Sequence, residues 1–94
     1  MPTMVNRSST IAAGGTAQSL MAAKDYPANR NGFWIQNLSA GDLWIYELGT
    51  ATADSPSIKI AAGGFFTMVG VDCPDSAISI IGATTGQKFA AREW

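Results

Sequence analysis

"GFWIQNLSAGDLWIYE", residues 32–47, carries the densest strand signal in the chain. Gly32–Asn37 and Asp42–Glu47 are rich in aromatic and β-branched residues, which suit a pleated, half-buried surface. Side chains alternate between the two sides of a strand. Phe33, Ile35 and Asn37 therefore share one side and Trp34 and Gln36 the other. In the second piece Leu43, Ile45 and Glu47 share one side, and Trp44 and Tyr46 the other. Only "LSAG" separates the two pieces, so they are expected to pair as a β-hairpin. The aliphatic side with Phe33 is the expected core face. Trp34, Trp44 and Tyr46 would then gather on the opposite face, where a sheet with water on one side ordinarily places polar residues.

The same reading extends outward. "SIKIA" (57–61) alternates, and "FFTMVG" (65–70) follows a Gly-Gly turn. "AISIIG" (77–82) and "KFAARE" (88–93) are expected to form a second hairpin through "ATTGQ". "STIAA" and "TAQSL" flank Gly14-Gly15 and could form a third. "TAQSLMAAKDY" is also the best helical candidate, though a helix of that length is marginal without packing. Up to eight short antiparallel strands with closely spaced turns predict an all-β fold, a small β-sandwich of jelly-roll type. The chain divides into an N-terminal arm, residues 1–9, and one sandwich domain, residues 10–94.

"IAAGG" occurs at both Ile11–Gly15 and Ile60–Gly64. Each copy is followed by a strand-like piece, a proline and two further strands, the four-plus-four arrangement of a jelly roll. Neither copy has the Lys and Ser/Thr of a P-loop or the spacing of a dinucleotide loop. Each is expected to be a turn between antiparallel strands with at least one glycine at positive φ.

Hydrophobic residues make up 47% of the 94 residues and charged residues 14%. The charged share lies below the roughly 25% of ordinary soluble domains. Part of the surface is therefore expected to be buried against other protein. Net charge is −1, with no basic stripe, so no nucleic-acid partner is expected. No apolar run approaches the roughly 18 residues of a membrane span, and "MPTMVNRSST" lacks the apolar core of a signal peptide. No membrane partner is expected, and synthesis is expected in the cytoplasm.

Little in the chain resembles catalytic machinery. There is no histidine, and Cys73 is the single cysteine. A disulfide within the chain and a Cys/His zinc site are both excluded, and Cys73 lacks a histidine to activate it. Asp72 and Asp75 in "VDCPDS" read as turn-capping residues. Arg30 and Arg92 read as ordinary surface charges, and Trp94 as a packed side chain. No enzyme activity, catalytic residue, metal or cofactor is expected. The candidate functional residues are Trp34, Trp44 and Tyr46, with Met1 and Val5 of the arm as a second contact. The three rings fit a partner or oligomer interface, packing under the chain's own loops, or a sugar platform.

Residues 28–94 resemble a group of small tailed-bacteriophage virion proteins. The likeness rests on Asn29, Arg30, Ile35, Gln36 and Asn37 opening one strand, and Gly41, Asp42 and Leu43 opening the next. It continues through "GTATA" (49–53), "SIKI" (57–60), Gly63-Gly64 and "ISIIGATTG" (78–86). The resemblance implies a compact β-sandwich that decorates or cements capsids, or forms a small head or tail accessory. It implies the major capsid protein as partner, a small homo-oligomer (dimer or trimer), and a place on the capsid surface of the virion, after synthesis in the bacterial host. The alternative is a receptor- or glycan-binding module of a head fibre or tail.

Overall fold

The segments read as strands are strands, but with one exception their partners are not their neighbours in the chain. The computed structural model describes residues 4–25 and 28–94. Its strands are β1 (Val5–Asn6), β2 (Ser9–Thr10), β3 (Gln18–Met21), β4 (Gly32–Asn37) and β5 (Leu43–Tyr46), then β6 (Ile58–Ile60), β7 (Phe65–Val69), β8 (Ile78–Gly82) and β9 (Lys88–Glu93). A single 3₁₀ turn, Gly70–Asp72, follows β7, and no α-helix occurs among the described residues. Gln18–Met21, inside the helical candidate, is strand β3.

One sheet has the order β1-β9-β4-β7, with β2 also on β9; the other has the order β3-β8-β5-β6. Strands β1 and β2 lie along the same side of β9, pairing Val5 with Glu93 and Ser9 with Phe89. They are two halves of one edge strand, interrupted at Arg7-Ser8. Counted so, eight strands form two four-stranded antiparallel sheets. Apart from β5→β6, every connection between these eight changes sheet. That is the jelly-roll topology expected from the sequence.

The expected hairpins are not formed. Strand β4 pairs with β7 and β9, while β5 pairs with β6 and β8. "LSAG" therefore carries the chain from one sheet to the other, as "ATTGQ" does between β8 and β9. The segment between β2 and β3 does the same. The reason lies in the aliphatic sides. Side by side in one sheet, Phe33, Ile35, Leu43 and Ile45 would need a further layer to cover them. On opposing sheets they cover one another, and all four are fully buried. Ile11, Met21, Ile60, Ile78, Ile80 and Phe89 complete the same core.

The two "IAAGG" copies both turn the chain from sheet to sheet, and both begin with a buried isoleucine. Their turns are offset by one residue. In the first, Thr16 N–H donates to Ala13 C=O and Gly15 has φ of 79°. In the second, Gly64 N–H donates to Ala61 C=O and Gly63 has φ of 78°. Each glycine is the third residue of its turn, where a type II turn demands positive φ. Identical letters thus serve two registers, so the repeat is shared turn chemistry rather than a repeated conformation. The expected positive φ is present in both copies. Each pair joins opposing sheets instead of paired strands.

Candidate functional site

The two sheets have different outer faces. On the β3-β8-β5-β6 sheet the outward residues include Trp44, Tyr46, Ser79 and Ile81, with Trp44 opposite both Lys59 and Ile81. The β5–β6 connection folds back over this face. Ala51 is buried, and its N–H donates to Ser79 Oγ at 3.0 Å. A Cβ placed on Gly49 would lie 3.4 Å from the Tyr46 ring, so the loop backbone rests against that ring. Tyr46 and Trp44 are half-buried. Tyr46 packs under the chain's own loop, one of the roles open to it from the sequence.

The outer face of the β1-β9-β4-β7 sheet has no such roof among the described residues. Trp34 stands opposite Thr67 on one side and Arg92 on the other. The Arg92 guanidinium lies 5.0 Å from the Trp34 ring centroid, a cation–π pair. Trp94 covers Gly32, where an added Cβ would come within 2.5 Å of the indole; a side chain at 32 would displace the ring. Trp94, expected to be packed, is half-buried, with its ring against Gly32. Phe65 and Val69 on β7 are 65% and 61% exposed, and Val71 just beyond is wholly exposed. Met4, Trp34, Arg92 and Trp94 line a small hollow on this face.

Trp34 therefore does not share a face with Trp44 and Tyr46. They stand on opposite sides of the molecule, a correction to the hairpin reading that placed them together. Val5 lies in β1 opposite Glu93 and is half-buried within the chain's own sheet. Met1 lies outside the described residues. The sequence reading missed Phe65, Val69 and Trp94 as companions of Trp34. The available signal was the alternation in "FFTMV", which puts Phe65, Thr67 and Val69 on one side.

Two buried polar clusters close the ends of the sandwich. At one end Glu93, 1% exposed, receives Arg7 Nε at 2.6 Å and Arg30 Nε at 3.1 Å, with Lys24 Nζ 3.4 Å away. Arg30 is buried too, a correction to its surface reading. Its guanidinium also donates to the carbonyls of Ala22 (2.8 Å), Pro74 (2.6 Å) and Ser76 (2.9 Å). Its own N–H donates to Asp75 Oδ1 at 2.7 Å. Burial pushes the Glu93 carboxyl up. The hydrogen bonds from Arg7 and Arg30, with the charges of Arg30 and Lys24, outweigh that and hold it below its ordinary value. At the other end Asn37, fully buried, donates to the carbonyls of Gly41 (2.7 Å) and Ile60 (2.9 Å). Its Oδ1 accepts from Ser39 N–H and Oγ–H. Gln87 ties Ser39, Asp42 and Thr84 into the same cluster.

These clusters are saturated. Among the described residues, no buried side-chain nitrogen or oxygen lacks a hydrogen-bond partner, and no group of three or more metal-ligating side chains comes together. Cys73 is buried, and burial pushes its thiol up, away from the reactive thiolate.

No protein-family model matches the chain, and no curated protein aligns with it. One solved structure shares the fold: a chain from work titled "Bacillus endospore appendages form a novel family of disulfide-linked pili". It superposes with a TM-score of 0.63 at 16% identity, over 97% of this chain and 81% of that one. At that identity the likeness is one of fold.

Proposed function

We propose that the chain is a non-enzymatic structural subunit of a bacteriophage virion, a decoration protein that binds the assembled major capsid protein lattice. The observation that carries the proposal is the bare outer face of the β1-β9-β4-β7 sheet. It presents Trp34, Phe65, Val69 and Trp94, whereas the opposite face is partly covered by the chain's own β5–β6 connection, which rests on Tyr46 and Ser79. Aromatic side chains surrounded by smaller apolar ones are the usual anchors of protein interfaces. The resemblance of residues 28–94 to small virion proteins supports the virion and the capsid surface as its place. The non-enzymatic reading is supported by how the charged groups are spent: Glu93 and Arg30 brace one end of the fold, and Asp42 pairs with Lys59 on the surface.

The role is mechanical. A subunit that binds only the assembled lattice stabilises it by mass action, and many weak sites on one lattice act together. The fold neighbour is also part of an assembled structure, a pilus described as disulfide-linked. This chain has one cysteine, which could form at most one disulfide per subunit, so it is not built to run a disulfide link from copy to copy along a polymer.

Sedimentation with expanded, undecorated capsids tests the reading. The protein should pellet stoichiometrically with capsids, and Trp34→Ser should weaken that binding at least tenfold while Trp44→Ser leaves it nearly unchanged. Retention on host polysaccharide, with no capsid binding, would establish the glycan-binding module instead.

A further inference from the structure

The β1-β9-β4-β7 sheet ends on β7, and that edge is unlike the other three. The β1/β2 edge is broken at Arg7-Ser8 and carries a charge there. The β3 edge has a register shift between Ser19 and Met21. The β6 edge is three residues long with Lys59 at its centre. Interruptions, bulges, short length and charge are the ordinary ways of protecting a sheet edge from unwanted pairing. Strand β7, "FFTMV", has none of them: five unbroken residues, no charge and no proline.

The hydrogen-bond pattern shows which groups β7 leaves free. Asn37 N–H donates to Gly64 C=O, and Gly70 N–H donates to Asn31 C=O. Even-numbered residues along this segment therefore face β4. In an antiparallel ladder the alternate residues point both backbone groups the other way. Phe65 and Thr67 thus direct both their N–H and C=O groups outward from the sheet, and Val69 its N–H, while Val69 C=O caps the 3₁₀ turn; among the described residues no strand pairs with that side. The same three residues place their side chains on the bare outer face.

We infer that β7 is the contact between two copies of this chain, paired antiparallel about a two-fold axis at Thr67. The occupant follows from the symmetry of the strand. A two-fold at Thr67 sets Thr67 against its own copy and Phe65 against the partner's Val69, twice over, an aromatic beside a β-branched residue. All three outward-directed residues then find backbone partners. The strand is uncharged, so no like charges meet across the axis. The two sheets become one of eight strands, and the two bare faces become one continuous platform. This inference stands apart from the capsid reading, since it concerns the purified chain by itself.

Light scattering during size exclusion, on protein at roughly 100 μM, tests it. The wild type should run at twice the 9.8 kDa chain mass. Phe65→Lys with Val69→Lys should be monomeric, because like charges then oppose each other across the axis. Phe65→Lys with Val69→Glu should restore the dimer, since opposite charges meet at the same two places. In a Cys73→Ser background, Thr67→Cys should cross-link under mild oxidation, because directly paired strand residues lie about 5.5 Å apart. Phe65→Cys should not, since its copy would lie roughly 13 Å away along the strands. A monomeric wild type, a dimer indifferent to the double lysine variant, or failure of the opposite-charge variant to restore it would each overturn the proposal. Unchanged circular dichroism of the exposed-site variants separates loss of pairing from loss of fold.

Discussion

The two ends of the sandwich solve one problem with different chemistry. Each must anchor loops that pass from sheet to sheet, and each does so with a buried polar side chain bonded to several loop backbones. At the Arg30 end the anchor is an ion, and its charge is matched by Glu93 on β9. At the Asn37 end the anchor is a neutral amide, completed by Ser39 and Gln87. A neutral network costs little to desolvate and loses a hydrogen bond at a time. An ionic one is costly to bury and fails abruptly when one partner is removed, because the other charge is left without compensation.

The contrast can be pressed by mutation. Arg30→Ala should have the largest effect, about 3–5 kcal/mol of lost stability, since it leaves buried Glu93 to the partly exposed Arg7 and Lys24 and frees the carbonyls of Ala22, Pro74 and Ser76. Urea unfolding followed by tryptophan fluorescence measures it. Acid comes next. Because Glu93 titrates below its ordinary value when folded, its contribution is complete above the unfolded value of about 4.3. That contribution is lost as pH falls through the lower folded value. Melting temperature should therefore drop below about pH 4.3, and Glu93→Gln should lower the plateau but flatten that drop. An Asn37→Ala variant should lose roughly 1–3 kcal/mol, with no such acid dependence of its own. Breaking the exposed Lys59–Asp42 pair with Lys59→Ala should cost about 1 kcal/mol at most, and less in high salt. If Asn37→Ala proved costlier than Arg30→Ala, the assignment of the ionic end as the stronger brace would be wrong.

The sequence revealed the strands and their inward sides well. Phe33, Ile35, Leu43 and Ile45 are buried as their alternation requires. It did not reveal the pairing. Alternation says which side of a strand is apolar, not which strand lies beside it, and a four-residue link such as "LSAG" can close a hairpin or step between sheets. What decides is the mutual burial of the aliphatic sides, and Asn37, whose side chain bonds Gly41 and Ile60, holds the crossing in place. Arg30 was misread because a charge before a strand is usually solvated. The missed signal was on β9: Glu93 alternates in phase with the buried Phe89 and Ala91, and an inward carboxylate requires an inward cation. The separation of Trp34 from Trp44 followed from the pairing error. The bare outer face was partly legible, through Trp34; the alternation of "FFTMV" groups Phe65, Thr67 and Val69 on one side but does not say whether that side is exposed.

One further consequence comes from the order of strands in the sheets. The strand at the centre of each half of the core, β8 between β3 and β5 and β9 between β1 and β4, is supplied by the segment from Ile78 to Glu93. Without that segment β1, β2 and β3 have no partner, and β4 and β5 each lack theirs on one side. Folding must then bring together residues as distant in sequence as Val5 and Glu93, and such topologies fold slowly for their size. The fold is therefore built to form in one concerted step that waits for Ile78–Glu93, and a chain stopped short of Ile78 should gain almost nothing from the strands already made.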